Sequence, residues 1–440
     1  MTGRTLHLGG FLKPAGEYLA GWRHPEAPRA AGVDFEFIAG LVKRLEAAKF
    51  DAVFFPDLVG VPDSPDAVLE RVAVVNDALE PTVLLGALAA VTNRIGLVAT
   101  ASTSYSEPYT TARVFAAIDH ISHGRAGWNV VTSLNDAEAR NYGLDSHLLH
   151  ADRYRRAEEF YDVVEGLWDS VEEGGFVEDK ASGIYLDTAR RHRLDHRGEF
   201  FTVAGPLNIR RPVQGRPIIA QAGSSGAGQA LAARIADLVF TRAQAIEPSR
   251  EQYAAIKARA AGFGRNPDEI LVLPELATVV GRTRAEAEDK FAAVRELLHP
   301  RVALADVEYW LRADLASLPA DSPLPPLPAT NASQGAQAEL YAQAVQDGLT
   351  VGGLVAFVAE GDGAVIGTAD DVADRIEEYF TTGAADGFNV SFPYLPGTLE
   401  DFTSLVVPEL QRRGLFRTEY EGETLREHLG LAPPASRWKT

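Results

Sequence analysis

Polar side chains cluster at the end of one short apolar run, where Asn129, Thr132 and Ser133 follow Trp128. An Asn amide both donates and accepts hydrogen bonds, so it can match the edge of a pyrimidine-like ring. A buried Asn needs hydrogen-bond partners in any case. The cluster therefore fits either contact with a planar ligand or a structural bond beside a core Trp.

His150 and Tyr154 are spaced i, i+4 shortly downstream. If a helix already begins there, both side chains project from one face near its N-terminus, where free backbone amides attract anions. The alternative is a solvated His and a core Tyr.

A glycine-rich segment, Gly223–Gly228, separates an apolar run from a helical pattern and contains Ser224 and Ser225. Glycines allow a ligand to approach the backbone closely, and the next helix offers free N–H groups to a phosphate. The spacing is neither G-x-G-x-x-G nor a P-loop. It indicates an anion-binding loop or a plain strand-to-helix turn.

Two further polar sites follow predicted strands. Asp57 comes after AVFFP, and Thr103 lies in the segment TASTS at 100–104. A rim carboxylate and hydroxyls at strand ends could contact a ligand. The alternatives are a helix cap for Asp57 and ordinary turn chemistry for Thr103.

Trp22 and His24 lie in the loop GWRHP at 21–25 and are candidates for contact with substrate, or simply for loop packing. The sequence has no H-E-x-x-H, no histidine grouping with ligand spacing and no cysteine. It therefore predicts no metal site and no disulfide. There is also no G-x-S-x-G elbow.

These residues must be positioned by alternating strands and helices. The predicted strands are 5–9, 52–56, 95–99, 126–131, 217–221, 238–241, 271–280 and 388–392. The predicted helices are 34–49, 79–93, 107–121, 153–168, 226–235, 249–261, 283–298, 370–381 and 399–413. Such alternation indicates a parallel sheet with right-handed crossovers.

Eight strands are the number that closes a (β/α)8 TIM barrel. A doubly wound open sheet is the alternative. The barrel is favoured because no dinucleotide fingerprint follows the first strand. The barrel interpretation makes 1–440 a single domain, with long loop insertions near 58–78, 170–215 and 300–365 that would serve as lids or oligomer arms.

Two helix starts carry a capping pattern. Thr283 with Glu286, and Thr368 with Asp371, place a hydroxyl and a carboxylate three residues apart, which can satisfy free amides of the first turn.

Composition narrows the class of protein. Lys and Arg number 42 and Asp and Glu 61, which gives a formal net charge of −19. Such a chain repels a phosphate backbone, so nucleic-acid binding is not expected. The N-terminus lacks the apolar core of a signal peptide, and no apolar run reaches membrane-spanning length. With no cysteine present, a cytoplasmic location is expected.

Several long motifs, in order, resemble the bacterial luciferase-like flavin-dependent monooxygenases. The closest branch is the group of nitrilotriacetate monooxygenase component A, sulfone monooxygenases and long-chain alkane monooxygenases. The motifs are GWRHP at 21–25, FDAVFFPD at 50–57, GRAGWNVVTS at 124–133, HADRYRRAEEFYDVVEGLWDS at 150–170, PIIAQAGSSGAGQALAARIADLVFT at 217–241 and IGTADDVADRIEEY at 366–379. They cover nearly the whole chain.

This resemblance implies a barrel that binds FMN at the C-terminal ends of its strands. By motif, the residues similar to the family's FMN contacts are Asp57, Thr103, His150, Tyr154 and Ser225, with Asn129, Ser133 and Ser224 as additions. His150 and Tyr154 would then contact the phosphate side or the ribityl chain rather than act as an acid–base pair.

The family's chemistry would use reduced FMN and O2 to form a flavin C4a-hydroperoxide, which transfers one oxygen atom to a small organic substrate. A separate NAD(P)H:flavin reductase would supply the reduced FMN, and the chain would form a homodimer or homotetramer. The alternatives are an F420-dependent hydride-transfer oxidoreductase on the same barrel and a non-catalytic flavin-binding protein.

The loop before GWRHP departs from some relatives, because it reads FLKPAGEYLAG at 11–21 and contains no His or Cys. This difference argues against a simple inheritance of alkane or aminopolycarboxylate specificity.

Overall fold

Eight parallel strands form a closed barrel in the computed structural model, which describes residues 4–73, 76–242, 245–361 and 363–438. We number the barrel strands β1–β8. They are β1 His7–Phe11, β2 Ala52–Phe55, β3 Gly96–Ser102, β4 Ala126–Val131, β5 Ile218–Gln221, β6 Leu238–Arg242, β7 Leu271–Val280 and β8 Gly387–Ser391.

The pairing of β1 with β8 closes the sheet. His7 lies opposite Gly387, and the ring continues through β6 and β7, where Leu238 lies opposite Leu271. This closure confirms the predicted TIM barrel and excludes the open doubly wound sheet, whose edge strands would remain unpaired. The first strand was predicted two residues too early, because its pairing with β8 begins only at His7.

The third strand is longer than predicted. It runs to Ser102 because its pairing with β4 continues to Ser102 opposite Val131. Every residue of β2 is buried, as expected for a parallel strand covered on both faces.

Two layers of apolar side chains hold the barrel. Between the strands and the outer helices lie large side chains such as Trp128, Phe115 and Phe160. Inside the barrel lie Val98 and Ile218 with their neighbours. The core therefore fixes the strand ends on which the polar residues sit.

Sixteen α-helices surround or extend the barrel in the described residues. They are α1 Phe35–Ala47, α2 Asp66–Leu69, α3 Pro81–Ala89, α4 Pro108–Ile121, α5 Asp136–Arg140, α6 His150–Trp168, α7 Gly226–Ile235, α8 Ile246–Gly262, α9 Arg284–Arg295, α10 Pro300–Leu311, α11 Gln334–Gln346, α12 Val351–Ala359, α13 Ala369–Thr381, α14 Gly397–Asp401, α15 Val407–Arg412 and α16 Leu425–His428. A π-helical turn, Phe402–Val406, joins α14 to α15.

The two predicted caps differ in detail. Thr368 and Asp371 form a reciprocal capping box, in which the Thr368 amide donates to Asp371 Oδ2 at 2.8 Å. The Thr283 hydroxyl accepts from the Glu286 amide at 3.2 Å, but the Glu286 carboxylate accepts from the Arg282 amide instead of closing the box.

The three long insertions carry their own elements. The segment 58–78 contains α2, and 300–365 contains α10–α12. The segment 170–215 contains two hairpins, formed by Phe176–Asp179 with Ile184–Leu186 and by His196–Arg197 with Thr202–Val203. Residues 74, 75 and 362 within these insertions, and 1–3 and 439–440 at the ends, lie outside the described residues.

Helices α10–α12 pack on one another through an apolar cluster that includes Val307, Leu340 and Leu354. Among the described residues, no helix has both the length and the apolar character needed to cross a membrane.

Candidate active site

A cavity of about 930 Å³ opens at the C-terminal ends of the barrel strands. Its size lies near the upper end of the range for ligand pockets, about 300–1,000 Å³. The wall is built from the ends of β1–β7, from the first turn of α6, from the loop before α7, and from α10 and α11 of the long insertion. The barrel therefore brings together residues that are more than two hundred positions apart.

Asn129 presents an unpaired acceptor on this wall. Its Nδ2 donates to Thr100 Oγ1 at 2.9 Å, and the Thr100 hydroxyl donates to the Phe55 carbonyl at 2.9 Å. The Asn129 Oδ1 atom is buried and has no hydrogen-bond partner in the described structure. An unmet buried acceptor costs about 1–3 kcal/mol, so a ligand N–H at this point would be stabilised. The sequence left a structural bond and a ligand contact open, and the geometry provides for both.

Asp57 lies half-buried on the same wall, directly after β2. Burial and the neighbouring Glu80 and Glu138 carboxylates raise its pKa to about 6, against a hydrogen bond from the Leu58 amide that lowers it. The charge on this rim carboxylate therefore changes close to neutral pH.

The Gly223–Gly228 loop forms the opposite part of the wall. Ser225 caps α7, with its Oγ accepting from the Gly228 amide at 3.1 Å. A Cβ placed on Gly228 would come within 2.8 Å of Gly223 Cα and 2.9 Å of Tyr154 Oη. The glycines are therefore required by close packing, and they bring the free amides of α7 and the Tyr154 hydroxyl together. This arrangement suits a phosphate.

Helix α6 begins at His150, three residues before the predicted start. This earlier start places His150 and Tyr154 on one face at the cavity, with ring centroids 4.9 Å apart. The His150 amide donates to Asn331 Oδ1 at 2.7 Å, so the long insertion anchors this helix end. Burial and the adjacent Arg153 lower the pKa of His150, which favours a neutral imidazole.

Three predicted residues do not line the cavity. The Thr103 hydroxyl donates to the Val131 carbonyl at 3.0 Å, which is the turn chemistry that the sequence left as the alternative. The Trp22 indole donates to the Arg71 carbonyl at 3.0 Å, and His24 stacks on Tyr394. These contacts hold the GWRHP loop beside the cavity, and neither Trp22 nor His24 lines it. Their contact with substrate stays a prediction.

Of the remaining predicted residues, Ser133 and Ser224 lie on the wall. The Ser133 and Ser102 hydroxyls form a hydrogen bond of 2.9 Å. The backbone of Ser133 has a positive φ of 56°.

Sequence reasoning missed Arg153, which is 1% exposed and contributes to the wall between the two predicted α6 residues. Its Nη1 donates to the Ser133 carbonyl at 2.5 Å and to His147 Nε2 at 2.7 Å. It also missed Glu275, a charged residue inside the otherwise apolar run LVLPELATVV at 271–280. A charged residue within a buried strand indicates a functional position, so Glu275 could have been identified from the sequence. Arg153 could not, because basic residues are common on exposed helix faces.

Fold and site together define a barrel enzyme whose strand ends enclose a cofactor-sized cavity, with the glycine-rich loop at the start of α7 on its wall. The model of the luciferase-like monooxygenase family matches residues 17–386, and the chain belongs to this family. The protein is therefore an oxidoreductase of the flavin-dependent monooxygenase class.

Similar proteins agree over nearly the full length. The chain is 44% identical to N-acetyl-S-(2-succino)cysteine monooxygenase of Bacillus subtilis (strain 168), covering 99% of this chain and 98% of that protein. It is 44% identical to nitrilotriacetate monooxygenase component A of Aminobacter aminovorans, covering 98% and 97%. A crystal structure of riboflavin lyase with modified FMN and riboflavin has a TM-score of 0.88 at 33% identity, covering 97% and 96%. These likenesses confirm the predicted resemblance.

Within the described residues, no group of three or more His, Asp or Glu side chains is arranged to hold a metal ion.

Proposed function

We propose that this enzyme is a two-component monooxygenase that takes reduced FMN and O2 and inserts one oxygen atom into a small organic substrate. The observation that carries this proposal is the cavity itself, in which the unpaired Asn129 Oδ1 and the capped N-terminus of α7 open on one space. The first matches the N–H edge of a flavin ring and the second matches its phosphate.

Residues at two ends of the cavity would hold the cofactor. Asn129 and Asp57 accept hydrogen bonds at the ring end, and Ser224, Ser225 and Tyr154 surround the phosphate. Bound FMN would supply the electrons for reducing O2, with one oxygen atom passing to substrate and the other leaving as water. Closure of the wall by α10 and α11 would exclude bulk water during this chemistry.

Reduced FMN would arrive from a separate NAD(P)H:flavin reductase. No dinucleotide fingerprint follows a strand in the sequence, and the relative from Aminobacter aminovorans is named as one component of a larger system. Homodimers or homotetramers are part of the same proposal, by likeness to the family.

Rapid mixing tests the proposal. The protein is loaded anaerobically with reduced FMN and mixed with O2 while absorbance is followed. A transient spectrum of a flavin C4a-hydroperoxide supports the function, and its absence at saturating FMN contradicts it. Turnover should require an added flavin reductase with NADH.

A parallel titration with FMN and F420 separates the competing function on the same barrel. Tighter binding of F420 than of FMN would favour an F420-dependent hydride-transfer oxidoreductase over the monooxygenase. If the protein binds flavin and activates oxygen, candidate substrates can be screened for an effect on oxygen consumption. A compound that raises it above the rate of flavin oxidation alone excludes a non-catalytic flavin-binding protein.

A further inference from the structure

The cavity wall carries a group of charged side chains that the FMN assignment does not use, although one of them, Glu339, is hydrogen-bonded to Ser224. We call this group the charged cluster. It consists of Lys13, Glu17, Arg242, Glu275, Asp306 and Glu339. They come from the loop after β1, the ends of β6 and β7, and helices α10 and α11.

Contacts show that the cluster is continuous. Lys13 Nζ donates to Glu17 Oε1 at 2.7 Å. Arg242 lies opposite Glu275 in the β6–β7 register. The Asp306 carboxylate accepts a hydrogen bond from the Trp310 side chain and interacts electrostatically with both Lys13 and Arg242. The insertion thus completes a polar surface that the barrel begins.

The cluster contains more acid than base, with four carboxylates against two cationic groups. Burial and the neighbouring Glu275 and Asp306 raise the pKa of Glu17 to about 7, despite the attraction of Lys13. Burial raises the pKa of Asp306 to about 6. Both carboxylates are therefore costly to ionise, and an additional positive charge would stabilise them.

One atom of the cluster lacks a partner. Glu17 Oε2 is buried and makes no hydrogen bond in the described structure, although Oε1 of the same carboxylate is paired. A buried acceptor beside a cavity is satisfied by a donor on the ligand. A cationic donor would supply both the missing hydrogen bond and the missing charge.

The cation should be organic rather than metallic, because no group of described acidic and histidine side chains is arranged to hold a metal ion. A polycarboxylate would meet the opposite situation. It would add negative charge to a surface that already carries four carboxylates against two cations, Lys13 and Arg242.

We propose that the substrate of this enzyme carries a protonated amine, and that Glu17 and Asp306 bind this ammonium group while the rest of the molecule faces the flavin. The inference rests on the proposed function, because it places substrate and FMN in one cavity. Because the charged cluster is net acidic, we expect a substrate of net positive charge, in contrast to the net anionic nitrilotriacetate for which one relative is named.

Calorimetry on the FMN-loaded protein tests the proposal with three probes of similar length: 1,4-diaminobutane, butane-1,4-diol and succinate. We expect the diamine to bind at least about tenfold more tightly than the other two. Titration in buffers of different ionisation enthalpy at pH 6.5 should show proton release, because the cation lowers the pKa of Glu17 and Asp306. Succinate binding as tightly as the diamine would overturn the proposal.

Charge-removing variants assign the contact. Glu17→Gln and Asp306→Asn should each weaken diamine binding by about tenfold and reduce the proton release. Asp77→Asn is the matched control, because Asp77 is an exposed carboxylate on the same wall but outside the charged cluster. It should change diamine binding less than twofold. Unchanged binding in both cluster variants would refute the assignment.

FMN binding, followed by quenching of flavin fluorescence, distinguishes the two proposals. If the wild-type protein neither binds FMN nor activates oxygen, both the proposed function and this inference are refuted. Normal FMN behaviour without preference for the diamine would remove the inference alone.

Discussion

Arg153 donates a hydrogen bond from Nη1 to Nε2 of His147 at 2.7 Å, and this contact fixes the protonation of the imidazole. A guanidinium has no acceptor, so Nε2 must be the unprotonated nitrogen. The proton then resides on Nδ1, which lies 2.5 Å from the Tyr105 oxygen and donates to it. His147 therefore orients Arg153 on the cavity wall as a neutral residue.

The first prediction concerns pH and stability. Burial and Arg153 lower the pKa of His147 to about 4, compared with about 6.5 in an unfolded chain. As the pH decreases, His147 is therefore protonated in the unfolded state before it is protonated in the folded state. The free energy of unfolding should fall between about pH 6.5 and about pH 4. We expect His147→Ala to lose about 1–3 kcal/mol at pH 7, and less as the pH approaches 4. Urea unfolding at several pH values measures this.

His120→Ala serves as the control, because the His120 ring makes a single hydrogen bond at the surface, with the Arg210 carbonyl. Its effect should stay within about 0.5 kcal/mol. A constant difference between wild type and His147→Ala from pH 7 to pH 4 would show that His147 titrates normally.

The second prediction uses two glycines of α7. Gly228→Ala would place a Cβ within 2.8 Å of Gly223 Cα and 2.9 Å of Tyr154 Oη, so the Gly223–Gly228 loop must open. Gly226→Ala meets no atom within 4 Å. We expect Gly228→Ala to weaken FMN binding by about ten- to a hundredfold, and Gly226→Ala to leave it within about twofold. Fluorescence titration measures both. Equal affinities would mean that the close packing is not needed for the phosphate.

The third prediction tests the unpaired acceptor. Asn129→Leu removes the Oδ1 atom at the cavity and should weaken FMN binding by about tenfold or more, which corresponds to one lost hydrogen bond of about 1–2 kcal/mol. Asn389→Leu is the comparison, since Asn389 also has a buried, unpaired Oδ1 but does not line the cavity. The Asn389 variant should lose stability while the folded fraction keeps its FMN affinity. Similar affinity losses would point to barrel distortion.

The fourth prediction concerns Asp57. Its pKa is raised to about 6 in the folded state, so the folded state holds a proton that the unfolded state has already lost above about pH 4. Stability should therefore decrease as pH rises from about 4 to about 6 and then level off. Asp57→Asn should be more stable than wild type at pH 7 and equal to it near pH 4, with weaker FMN binding. Thermal unfolding with and without FMN checks the sign, and a variant less stable at pH 7 contradicts it.

The barrel could be predicted from the sequence alone, and so could several residues of the cavity wall. Continuous apolar strands such as β2, separated by helical patterns, can be covered on both faces only in a parallel sheet. The glycines of the Gly223–Gly228 loop indicated that another group packs closely against its backbone. Asn129, His150, Tyr154 and Ser225 were predicted from the family motifs and from their places near strand ends and helix starts, and all four line the cavity. Their contact with FMN stays a prediction.

Local sequence does not reveal which hydroxyls and charges face the cavity. Thr103 and Asn129 both sit at strand ends, but Thr103 bonds to Val131 whereas Asn129 keeps its acceptor free. The charged cluster brings together residues as far apart as Lys13 and Glu339. No local pattern predicts such a meeting, because it depends on how the insertion helices fold back over the barrel.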